Sequence, residues 1–97
     1  MALENSYDLS NLKNHTEELV FRVMEEELNK IPNEDICKCE DCVLDMICLS
    51  LNKLQPRYRV SLMGTIYSTA SDGDFEKEVS EKVKEAIGKI SINPAHD

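Results

Sequence analysis

A mainly α fold, a small domain of three to four helices with a short extended segment and a zinc staple, follows from three observations. Apolar residues recur at three- and four-residue spacing in three separate stretches of the 97 residues. Four cysteines crowd into a dozen positions between two of those stretches and occur nowhere else. A chain this short buries only a modest fraction of its surface, so a metal or a partner subunit is expected to add stability. The chain reads as one domain, 1–97, with residues 1–10 and 91–97 expected as flexible tails.

The first helix is expected from Asn14, where Val20, Val23, Met24, Leu28 and Ile31 form one stripe and Glu17, Glu18, Glu25 and Glu26 fall elsewhere. Asn14 or Thr16 can cap its start, because a short polar side chain accepts from an otherwise unpaired backbone N–H. Pro32 disfavours helical backbone in the residue before it, so the helix stops there and Pro32 to Asp35 turns into the cysteines. A second helix runs from Glu40 to about Leu54, with Glu40, Asp41 and Asp45 toward its positive end and Lys53 toward its negative end. Val43, Ile47, Ser50, Leu51 and Leu54 make its stripe; Leu44, Met46, Cys48 and Leu49 widen it, which predicts a central helix or a dimer seam.

Arg57 to Leu62 alternates polar with apolar, the period of an extended segment. Met63 to Asp72 reads as partly extended around Ile66 and Tyr67, then as loop. Asp72 or Asp74 is expected to cap the last helix, whose Phe75, Val79, Val83, Ala86, Ile87 and Ile90 share a face, with an end near Gly88 to Ile90.

Asp and Glu number 19 against 11 Lys and Arg, a formal charge of -8, which opposes direct nucleic-acid binding and attraction to anionic lipid. A local basic spot can still hold a small anion, since contact electrostatics depend on nearby charges. Met1 to Ser10 has no basic stretch leading into an apolar run, so no signal peptide is expected and the chain is placed in the cytoplasm. No apolar run approaches the length of a membrane span, and no membrane insertion is expected.

Cys37, Cys39, Cys42 and Cys48 follow the spacing C-x-C-x2-C-x5-C. In a reducing compartment such thiols point to metal ligands, and zinc takes four thiolates in a tetrahedron without redox chemistry. An iron–sulfur cluster, a redox pair or inert buried thiols are the alternatives. Cys37 and Cys39 in the turn and Cys42 in the first helical turn converge readily. Cys48 lies six residues beyond Cys42, about 9 Å along a regular helix, so it joins them only if the helix start is distorted. His15 or a ligand from a second subunit would otherwise close the site.

The cysteine cluster, then Asp45, then Leu51, Asn52, Leu54, Pro56, Arg57 and Tyr58 resemble the ComFB family of late competence development proteins. The resemblance covers essentially the whole chain. Its most specific part is Cys37 to Tyr58, matching a cysteine-bearing helix that ends in LN-x-L-x-P-x-Y; Gln55 stands at the first position of the family's usual proline pair. It implies a small, mostly helical, homodimeric bacterial protein with a cysteine-bound zinc, encoded alongside DNA-uptake machinery, with no catalytic activity. It also implies a link to cyclic dinucleotide messengers.

Two functional classes follow. The first is a dimeric regulatory module that binds cyclic di-AMP or cyclic di-GMP, with Arg57, Tyr58 and Arg59 as the ligand-binding candidates: guanidinium forks and an aromatic face suit phosphates and purines. The plainer reading is that both arginines pair with carboxylates while Tyr58 is core. The second is a structural or adaptor protein of the competence system that binds a protein partner and no small ligand, through the wide middle helix or the acidic Glu25, Glu26 and Glu27. An enzyme is the weakest class: there is no nucleophile motif or glycine-rich phosphate loop, and the histidines are only His15 and His96.

Overall fold

A computed structural model describes residues 2–60 and 72–92. Among these residues there are four helices and one two-stranded sheet: α1 (Leu3–Ser6), β1 (Lys13–Asn14), α2 (His15–Asn29), α3 (Glu40–Asn52), β2 (Tyr58–Arg59) and α4 (Asp72–Ile92). The expected Ile66 and Tyr67 segment and its loop lie outside the described residues, as does the tail from 93 onward.

Helix α2 starts at the cap expected of Asn14, whose side-chain oxygen accepts from the Thr16 backbone N–H. It ends at Asn29, before Pro32, and the Asp35 N–H donating to the Pro32 carbonyl closes the turn that follows. Helix α4 packs against both α2 and α3, and α2 also meets α3. The core joins Leu19, Val20, Val23 and Met24 of α2, Cys42 and Met46 of α3, and Phe75, Val79, Val83 and Ile87 of α4. Fully burying one large apolar side chain contributes about 1.5–3 kcal/mol, so this layer is the main source of stability.

Three expectations differ from the fold. Of the stripe expected for α3, Ser50 and, just past the helix, Leu54 are buried, whereas Val43, Ile47 and Leu51 are only partly buried and Cys42 and Met46, one residue round, complete the buried line. The Ser50 hydroxyl donates to the Met46 carbonyl, and that bond lets a polar residue sit fully buried there. Helix α4 begins at Asp72, which places Asp74 inside its first turn, and it continues past Gly88 to Ile92. A short helix, α1, occupies part of the N-terminal stretch expected to be a tail, with none of its residues buried.

The sheet is antiparallel, pairing Lys13 with Arg59 and Asn14 with Tyr58, so among the described residues of the segment expected from Arg57 to Leu62, which stop at 60, Tyr58 and Arg59 are strand. The Asn14 side-chain oxygen also accepts from the Arg57 N–H at 2.8 Å, and the buried Thr16 hydroxyl donates to the Gln55 carbonyl at 2.6 Å. One asparagine therefore caps α2 and fastens it to the segment leaving α3. No described helix is long and apolar enough to cross a membrane.

Candidate metal centre

The turn after α2 carries Cys37, Lys38 and Cys39 to the start of α3, where Cys39 is the N-cap and its sulfur accepts from the Cys42 N–H at 3.4 Å. Lys38 fixes this loop. Its ammonium donates to the Leu28 and Ile31 carbonyls at 2.7 and 2.6 Å, one in the last turn of α2 and one just past its end. The result is a loop tied to α2 on one side and capping α3 on the other.

The sulfur atoms of Cys37, Cys39 and Cys42 lie within 4.8 Å of one another. Thiolates held about 2.3 Å from a tetrahedral zinc stand about 3.8 Å apart, so the three thiols fit three corners of such a site with small side-chain adjustments. Cys42 is buried in the core, Cys37 is half-buried and Cys39 is exposed. A metal here would therefore bridge from solvent to the middle of the protein. The positive end of the α3 dipole favours thiolate at Cys39 and Cys42.

Cys48 is not brought to this group. It is exposed on α3, where its sulfur accepts from the Asn52 side-chain amide at 3.6 Å. The regular pitch of α3 carries it away from Cys42, and no distortion of the helix start returns it. His15 opens α2 and faces Glu18 at 3.9 Å.

The arginines behave as a structural pair. The Arg57 guanidinium carbon stands 3.7 Å from the centre of the Phe75 ring, and Arg59 donates to Glu18 at 2.8 Å. Both are half-buried while Tyr58 between them is exposed, so the alternation of an extended strand does put the arginines on one side. Tyr58 is not core. Arg57 also borders a polar recess of about 500 Å³ between the end of α3 and α4, which Asn52, Lys53, Gln55, Phe75 and Glu78 help to line. A second, more apolar recess of about 390 Å³ lies between α2 and α3, lined by Phe21, Met24, Leu28, Val43 and Ile47 with Lys38 and Glu25 at hand.

The family model described as late competence development protein ComFB matches residues 13–94. The chain belongs to the ComFB family. A solved ComFB structure, titled as the structural characterization of the late competence protein ComFB from Bacillus subtilis, superimposes with a TM-score of 0.68 at 25% identity. The match covers 86% of this chain and 91% of that one. No curated protein matches in sequence. The ComFB match spans the cysteine turn, α3 and α4 together, so the three-thiol cluster lies inside the stretch that defines the family.

Sequence reasoning missed Lys38 and the polar recess. A lysine between two cysteines carries no signal of its own, because its role depends on how close the end of α2 comes. The recess is formed by residues 52–57 and 75–78, which only the packing of α4 brings together.

Proposed function

We propose that this member of the ComFB family is a non-enzymatic regulator of late competence, held together by a cysteine-bound zinc and acting as a homodimer that reads a cyclic dinucleotide. The meeting of Cys37, Cys39 and Cys42 at the start of α3 supports the metal, and zinc suits a thiolate set that needs no redox step. Bound there, zinc would supply structural cross-linking of the loop to the core, with those three residues as its ligands. With Cys48 turned away along α3, the fourth donor comes from solvent or from a second copy of the chain.

The receptor role is carried by one observation, the polar recess with Arg57, Lys53, Asn52 and Gln55 on its walls against the carboxylate of Glu78. Hydrogen-bond donors and two cations in a cleft of this size suit a phosphate-bearing ligand. A second reading, an adaptor that binds a protein and no small ligand, is favoured by the apolar recess of Phe21, Met24, Leu28, Val43 and Ile47 and by exposed Leu44, next to Val43 in the chain.

Native mass spectrometry of the purified chain, with and without chelator and then with cyclic di-AMP or cyclic di-GMP, tests both. The expected species is a dimer with one zinc per chain that gains nucleotide. A zinc dimer that ignores both nucleotides supports the adaptor, and a metal-free folded monomer overturns the zinc and the dimer.

A further inference from the structure

The end of α3 carries a concentration of positive charge that neither the metal nor the arginine strand uses. Lys53 is the C-cap of α3, and its ammonium stands 4.0 Å from a Glu85 carboxylate oxygen. Lys82 approaches the same oxygen at 3.8 Å. Lys82, Glu85 and Lys89 are three and four residues apart on α4 and so share one helix face. Lys89 stands one turn beyond Glu85 on that face, and its charge acts on Lys53, whose pKa it lowers.

Lys53 and Lys82 thus share one carboxylate, with Lys89 one turn further along α4, in a chain whose formal charge is -8. Lys89 holds Lys53 below the ordinary lysine range, and Lys82 pushes the same way while Glu85 opposes them. Attraction to helix C-terminal ends accounts for Lys53 on α3 and for Lys89 in the last turn of α4, and Lys82 pairs with Glu85 three residues on; what neither helix alone accounts for is that the two ends place these lysines round one carboxylate. Of these residues Lys53 also lines the polar recess, together with Glu78, which stands one turn before Lys82 along α4.

We propose that Lys53, Lys82 and Lys89 form an anion subsite for a small phosphate-bearing ligand at the rim of the polar recess. A phosphate dianion or phosphodiester placed between the lysines replaces ammonium repulsion with charge-assisted hydrogen bonds. The acidic remainder of the surface disfavours long polyanions, whose charges extend beyond the cluster, and leaves compact ones as the ligand class. The subsite deepens the receptor reading by naming where the phosphate sits, yet it stands on its own lysines whatever the rest of the ligand is.

Calorimetric titration of the full-length, metal-loaded protein with pyrophosphate and separately with cyclic di-AMP tests it, using Lys53→Gln, Lys89→Gln and, as a control remote from the cluster, Lys13→Gln. Saturable pyrophosphate binding is expected, weakened at least about tenfold by each cluster variant and less than about twofold by the control, with melting curves retained. No saturable binding by the unaltered chain, or equal weakening by Lys13→Gln, overturns the subsite. Cyclic di-AMP binding that survives both cluster variants also overturns it while leaving the receptor reading intact. Lysine-dependent pyrophosphate binding without any cyclic dinucleotide binding supports the subsite and removes the receptor reading.

Discussion

At its N-terminal end α3 gathers three thiols within 4.8 Å of one another, and at its C-terminal end its Lys53 shares the Glu85 carboxylate with Lys82, Lys89 following one turn on along α4. The first group is anchored inward: Cys42 is buried, Cys39 caps the helix, and Lys38 ties their loop to α2. The second faces outward, on side chains that stay in contact with solvent. Both clusters place like groups together, yet only the first is part of the core. The difference teaches that a metal at the thiols would feed directly into folding, whereas an anion at the lysines would adjust a structure that already stands.

The largest effect that separates the two ends is expected from Cys42→Ser. It removes a triad sulfur and a core contact at once, and structural zinc in small domains contributes about 10–16 kcal/mol at neutral pH, so the variant should be insoluble or unfolded by circular dichroism. Cys48→Ser, outside the triad, should keep a cooperative melt and one zinc per chain by metal analysis. Soluble Cys42→Ser melting like the parent chain would break the comparison.

A smaller loss follows from Lys38→Met, which keeps the apolar stem and deletes the ammonium. Its charge-assisted bonds to the Leu28 and Ile31 carbonyls are worth about 1.5–3 kcal/mol, read as a lowered denaturation midpoint with unchanged slope. Chelator competition should show weaker metal retention in the same variant, since the loop then loses its hydrogen bonds to the end of α2.

The smallest effect belongs to the lysine end and is read by pH. Because Lys89 and Lys82 lower the Lys53 pKa, the folded chain holds fewer protons than the unfolded chain between that lowered value and 10.5. The contribution of this group to stability therefore rises with pH across that window. Lys89→Gln should flatten that rise in melting experiments at low salt.

The helices were legible in the sequence where one cause determined them. Asn14 and Pro32 bracket α2, and the apolar line from Phe75 to Ile87 is the buried face of α4. In α3 apolar residues cover most of the circumference, so periodicity could not choose between neighbouring stripes; packing against α2 and α4 selects Cys42, Met46 and Ser50. Strand β1 has two residues, too few to show alternation. For the site, spacing alone identified Cys37, Cys39 and Cys42 as a converging set and marked Cys48 as the distant one. The exposure of Tyr58 was not legible, because it depends on the pairing with Asn14 across the sheet.

The double hydrogen bond to Asn14 also bears on how the chain assembles. Half of that cap, from Thr16, is local and is available as soon as α2 begins to coil, but the other half comes from Arg57, 43 positions later. During synthesis α2 therefore emerges with its cap half made and with the Thr16 hydroxyl waiting for Gln55. A contact of such sequence separation can form only once the intervening chain, α3 included, has been made, so the clasp ties the start of α2 to the segment leaving α3 and belongs to neither helix alone.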